Sequence, residues 1–195
     1  MDTPLCQTIM DTLKAYKIVV KRKNAVIGDG IESIVNLTLA DFGESPHYTE
    51  YTISVFSHND KKLGTMMISL DKSWNRETRK TRLAVYIHFV RSFTKGMGKN
   101  LIYLMTCKAA EIGLPIAFEA QPSIQDKFPP GTSEELIREK EEKLLQYYDY
   151  LGFDRNGKED YSEEYGLTQH YESLPKNVLS RAVILCDVMR IKGDF

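Results

Sequence analysis

The chain has 195 residues, 42% of them hydrophobic and 27% charged, with a formal net charge of −1. This is the make-up of one globular domain with a core of its own, and a near-neutral surface exerts no global pull on nucleic acid or acidic membranes. No apolar run approaches the ~20 residues of a membrane span, no basic n-region leads an apolar stretch at the N-terminus, and the cluster Lys14, Lys17, Lys21, Arg22, Lys23 reads as a solvated face.

Cys6, Cys107 and Cys186 lie far apart, with no CxxC and no Cys/His spacing. That argues against a disulfide framework and against a zinc site, so no metal site is expected. Cys107 and Cys186 read as small buried hydrophobes. The default expectation is a soluble, intracellular protein, cytoplasmic in the simplest case, with no nucleic-acid or membrane partner.

In chain order, Leu5, Ile9, Met10 and Leu13 recur at helical spacing, with Thr3 placed to cap and Pro4 at the first helical position. Tyr16 to Val20 is a short strand, Gly28-Asp29-Gly30 a turn. Ser33 to Asp41 alternates, Ile34, Asn36, Thr38 against Val35, Leu37, Leu39, and predicts a strand. Tyr48 to Phe56 and Lys62 to Leu70, joined at His58-Asn59-Asp60, predict a hairpin. Lys72 to Lys80 is charged and solvated. Arg82 to Val90 is the most continuously apolar strand and belongs centrally in the sheet.

Leu101 to Ile112 predicts a helix, stopped by Gly113 with Pro115 beyond. Ile116 to Ala120 is a short buried strand. Gln121 to Thr132 is a loop, and Thr132 to Tyr150 a long helix with Ser133 as cap and Glu134 and Glu135 in its first turn. Asn156 to Gly166 is a polar surface loop. Val178 to Ile191 contains the last strand, most clearly Ala182 to Met189. The tail from Ser173 to Phe195 is a candidate contact for a second copy or a protein partner. The pattern is α/β, with a mixed, mostly antiparallel sheet flanked by helices.

Lys95-Gly96-Met97-Gly98-Lys99-Asn100 lies between the apolar strand and the helix that follows it. A strand, a glycine loop and a helix N-terminus together offer unpaired backbone N–H groups and the positive end of a helix dipole. Glycine lets backbone approach a phosphate, because no Cβ intervenes. The alternative is a tight strand-to-helix turn with no ligand.

Taken in order, these segments resemble the GNAT family of N-acetyltransferases. Leu83 to Val90 resembles that family's central strand. Lys95 to Asn100 resembles its acyl-CoA pyrophosphate loop, [RQ]-x-x-G-x-[GA]. The helix through Leu101, Ile102, Leu104 and Met105, the step Ala109, Ala110, Gly113 into Ile116 to Ala120, and Tyr147-Tyr148-Asp149-Tyr150-Leu151-Gly152-Phe153 against the family's closing FYxxxGF complete the match. It covers roughly residues 50 to 153 of one domain spanning 1–195, and residues 1–47 diverge.

The resemblance implies acetyl-CoA as co-substrate and a primary amine, small or on a protein, as acceptor. It implies that Lys95, Gly96, Met97, Gly98, Lys99 and Asn100 hold the pyrophosphate. A backbone N–H near Phe89, Val90 and Arg91, where the family's strand splays from its neighbour, polarises the thioester carbonyl. It implies Tyr148 as acid for the departing thiolate. The family's strand carboxylate is missing, which leaves His88 or Glu119 as base.

The plainer readings are a packed sheet histidine, a strand-end carboxylate and a core aromatic. Lys95 stands where Arg or Gln is usual and loses the planar fork. Asn100, at a Gly or Ala position, adds a side chain where backbone meets pyrophosphate. Glu141 replaces a common Asn with a carboxylate near the CoA phosphates. The second reading these departures carry is a non-catalytic module that keeps the fold. Glu159, Asp160, Glu163 and Glu164 are a candidate acidic cleft for a polyamine or lysine, against a solvated loop.

Overall fold

The computed structural model describes residues 3–23, 25–39, 41, 49–120, 129, 131–162 and 166–183. In chain order the elements are α1 (Pro4–Lys14), β1 (Lys17–Arg22), β2 (Ala25–Asp29), α2 (Glu32–Val35), β3 (Tyr51–Phe56), β4 (Lys62–Asn75), β5 (Lys80–Ser92), α3 (Met97–Glu111), β6 (Ile116–Ala120), α4 (Glu134–Tyr150), β7 (Asp160–Ser162), β8 (Gly166–Ser173) and α5 (Pro175–Val183). The strands form a mixed sheet in the order β2-β1-β3-β4-β5-β6-β8-β7. Only the β5–β6 pair is parallel among them; the other pairs are antiparallel. The fold class is therefore the expected one, and β5 is a central strand.

Local chemistry sets the helix ends. The Thr3 hydroxyl accepts from the Cys6 N–H at 3.2 Å, and Pro4 occupies a first-turn position whose N–H has no partner to lose. Ser133 caps α4 by accepting from the Leu136 N–H. In β3, Tyr51, Ile53 and Val55 are buried while Thr52, Ser54 and Phe56 are half-exposed, the period-two pattern of a strand with one covered face. α3 is buried nearly all round from Asn100 to Ala109 and is the central helix. Both α1 and α5 pack on it, and it packs on β4, β5 and β6. Ile9, Leu13, Ile18, Ile53, Met66, Ile68, Val85, Leu101 and Ile116 share this core.

Several expectations are corrected. Cys6 and Cys107 form a disulfide that ties α1 to α3, so Cys107 is not a free buried thiol. Disulfides persist in oxidising compartments and are rare in the cytosol, so the cysteines no longer argue for a reducing location. The stretch Ser33 to Asp41 opens as helix, not strand. Ile31, Ile34 and Val35 have helical spacing, and the Ser33 hydroxyl donates to the Asp29 carbonyl.

β2 is a strand where only a turn was expected, and β4 and β5 extend through most of Lys72 to Lys80. The Ser73 hydroxyl and the Asn75 amide donate to Glu172 on β8, and Arg82 pairs with the same carboxylate at 2.5 Å. Those bonds hold the far end of the β4–β5 hairpin in place. The closing strand is β8, ahead of the expected Ala182 to Met189; Val178 to Val183 is helical, and residues 184–195 lie outside the described residues. Residues 163–165 and 121–128 also lie outside, which takes in Glu163, Glu164 and most of the loop before α4. Among the described residues no helix is long and apolar enough to cross a membrane.

Candidate functional site

β5 and β6 pair through Val85↔Ile116, Tyr86↔Ala117 and Ile87↔Phe118, and then part. Beyond that rung β5 runs on with β4 alone as far as Ser92, while β6 continues against β8. At the parting β5 carries a bulge: Ile68 faces Ile87 and Met67 faces Phe89, which leaves His88 as the extra residue. Bulges bend a strand and re-aim its side chains. Past the rung, alternate backbone N–H groups of β5 have no strand on the β6 side. The Phe93 N–H donates to the Leu63 carbonyl of β4, so by alternation the N–H groups of Arg91 and Phe89 face β4 and that of Val90 faces the open side.

His88 and Glu119 each follow the last paired rung directly, so the register places both candidate bases at the mouth of the gap. Half-buried His88 shares a 2.8 Å hydrogen bond between Nε2 and the Ser69 hydroxyl. Its ring lies 5.2 Å from Tyr86. The Glu119 carboxylate lies 3.5 Å from His170 Nε2 on β8. Tyr148 approaches the last rung from α4 on the face opposite Glu119: its ring sits 4.7 Å from Phe118 and 5.6 Å from Tyr171. Burial pushes its phenol up to about 12. A phenol held protonated is a donor, not a base.

The glycine loop follows from the end of β5. Gly96 has φ +90°, a left-handed conformation that a side chain strains, and it caps α3. Met97 is fully buried, and a Cβ on Gly64 of β4 would lie 2.6 Å from its Cγ, so the absence of a side chain there seats the loop. Three backbone N–H groups are engaged internally: Met97 to the Thr94 carbonyl at 3.1 Å, Gly98 to the Ser92 hydroxyl at 3.1 Å, and Asn100 to the Gly96 carbonyl at 3.1 Å. Those of Lys95, Gly96 and Lys99 make no hydrogen bond among the described residues. They form a concave run of donors at the head of α3, the arrangement that takes an anion. Burial lowers the Lys99 ammonium's pKa.

Asn100 does not stand in this cradle. Its side chain is fully buried and its amide donates to the Gly96 carbonyl at 2.9 Å, bracing the loop from inside. Its Oδ1 has no partner among the described residues. Glu141 is 2% exposed, and its Oε1 has no partner among the described residues. Burial raises its pKa, against a hydrogen bond from the Leu167 N–H and the nearby Arg138. A carboxyl pushed toward its neutral form repels phosphate less than the sequence implied.

The expected acidic cleft does not assemble from its described members. Glu159 pairs with Arg155, and Asp160 with Arg76. The residues missed from sequence are Ser69, Tyr86, Ser92 and His170. Ser69, Tyr86 and Ser92 lie within strands and carry no motif, and His170 falls on a strand too polar to be recognised. Among the described residues no group of His, Cys, Asp and Glu is arranged to hold a metal ion.

The chain shows likeness to several solved structures. One is the anti-CRISPR protein AcrVA5, at 24% identity over 55% of this chain and 88% of that one, with a TM-score of 0.34. A second is the spermidine/spermine N-acetyltransferase SpeG of Vibrio cholerae, at 13% identity over 89% and 99%, with a TM-score of 0.46. A third is an acyl-CoA N-acyltransferase of Pseudomonas aeruginosa, at 14% identity over 80% and 98%, with a TM-score of 0.43. At these values none of them fixes a function. No family model and no curated protein matches the chain.

Proposed function

We propose that this protein is an acyl-CoA-dependent N-acetyltransferase of GNAT type, moving an acetyl group from acetyl-CoA to a primary amine. One juxtaposition supports the reading: a strand gap flanked by His88, Glu119 and the half-buried phenol of Tyr148 opens at β5, and the same strand ends in a glycine-built cradle of free N–H groups. Acetyl-CoA supplies the activated acetyl group. The Lys95, Gly96 and Lys99 N–H groups hold its pyrophosphate. The Val90 N–H, on the open side of β5, points at the thioester carbonyl and stabilises charge on its oxygen.

His88 or Glu119, each tied to a polar neighbour, takes the proton that the amine nitrogen loses as its bond to the acetyl carbon forms. Tyr148 protonates the sulfur as the carbon–sulfur bond breaks. One observation favours a non-catalytic module instead: the Gly98 N–H is already occupied by Ser92.

Differential scanning fluorimetry separates the two. CoA and acetyl-CoA raise the melting temperature, because a ligand of the native state stabilises it by mass action. No shift at millimolar ligand contradicts the enzyme reading. The variant Gly98→Glu places a carboxylate at the cradle and abolishes the shift; a shift that persists puts the site elsewhere.

A further inference from the structure

A cavity of about 260 Å³ runs along the sheet from the end of β4 to the last β5–β6 rung, where Tyr86, Phe118 and His170 close it. Resting on the acetyltransferase reading, we infer that this cavity receives the acceptor, and that the acceptor is a small aromatic primary amine carrying a carboxylate. The cavity's position supports the first part. Tyr86 in its wall touches His88, with ring centroids 5.2 Å apart. His170 in its wall lies 3.5 Å from Glu119. Each candidate base therefore lies one side chain beyond the wall, His88 behind Tyr86 and Glu119 behind His170.

The lining supports the chemical class. Trp74, Tyr86 and Phe118 offer flat apolar surface, Lys72 and Arg76 offer positive charge, and no carboxylate is among the described residues that line the cavity. Lys72 forms no ion pair among the described residues. Arg76 is held by Asp160 at 2.8 Å and stays 36% exposed. Among the described residues the acids lie outside the wall: Glu172 is taken by Ser73, Asn75 and Arg82. Glu119 and Asp71 lie near Tyr86, where their charge adds to burial in raising its phenol.

An ammonium is thus drawn toward the Glu119 side and an anion toward Lys72 and Arg76. At ~30 Å³ per water the volume holds roughly nine waters, the size of one ring with two short substituents. A linear polycation finds basic side chains where it needs acids. This replaces the acidic cleft suggested by sequence.

Trp74 is the chain's single tryptophan, so tryptophan emission reports on this cavity alone. Titration with para-aminomethylbenzoate, without acetyl-CoA, gives a saturable change in emission. Binding is about tenfold tighter than for benzylamine, the increment of one charge-assisted contact. Lys72→Glu, at an exposed position where the fold is retained, removes that advantage.

Benzylamine or spermidine binding as tightly, or Lys72→Glu leaving the preference intact, overturns the inference. So does a probe that binds but is not acetylated when acetyl-CoA is added. The acetyl-CoA thermal shift stands or falls separately: a shift without a preference for the carboxylate sinks the acceptor class alone.

Discussion

At the scale of the residue, burial decides what Tyr148 can do. Its phenol sits among Phe118, Tyr147 and Tyr171, and burial first, then Tyr147, pushes it up to about 12. Tyr86 and Tyr147 are likewise raised to about 12 from 10.0, mainly by burial. A folded-state pKa above the unfolded value means the native chain keeps protons that the unfolded chain releases. The stability these phenols contribute is whole below pH 10 and is lost as pH climbs from there toward 12. The urea midpoint therefore falls steadily across that window, and native phenolate absorbance rises later than that of the unfolded chain. Coincident titration curves for native and unfolded protein contradict the buried phenol. Asn100 makes the same point from another side: its identity was legible in sequence, but the direction of its side chain, inward to the Gly96 carbonyl, was not.

At the scale of the element, the legible pieces are those whose signals are local. Thr3 with Pro4, Ser133 with its first-turn glutamates, and the alternation of β3 each act within a few residues, and each forms as the sequence predicts. α2 and β8 were missed because longer-range terms decide them. In α2, Ile34 is fully buried, and that burial outweighs an alternation that also suits a strand. In β8, Thr168, His170 and Glu172 are polar, and the strand exists because β6 pairs with it and Glu172 finds three donors on the β4–β5 hairpin.

The bond between Cys6 and Cys107 belongs to this scale too. No spacing rule reveals it, since 101 residues separate the two cysteines, and only the packing of α1 on α3 brings them together. Closing so long a loop restricts the unfolded chain, so Cys6→Ser or full reduction lowers stability by about 2–4 kcal/mol. A melting temperature unmoved by reductant contradicts the bond.

At the scale of the whole molecule, the site exists because two things happen to one strand. β5 leaves β6 after Ile87, and it then turns through Gly96 into the buried helix α3. The loop and its glycines were readable from sequence, because backbone freedom there requires glycine. The gap was legible only through the family resemblance, and the partners of the candidate bases, Ser69 and His170, were not legible, because they come from strands distant in sequence.

The central claim is that free N–H groups at the head of α3 receive the phosphates of acyl-CoA. Backbone amide chemical shifts measured during titration with CoA test it most directly. The largest changes are expected on Lys95, Gly96 and Lys99, with smaller ones at Phe89 to Arg91. Changes centred elsewhere, or none at saturating CoA, contradict it.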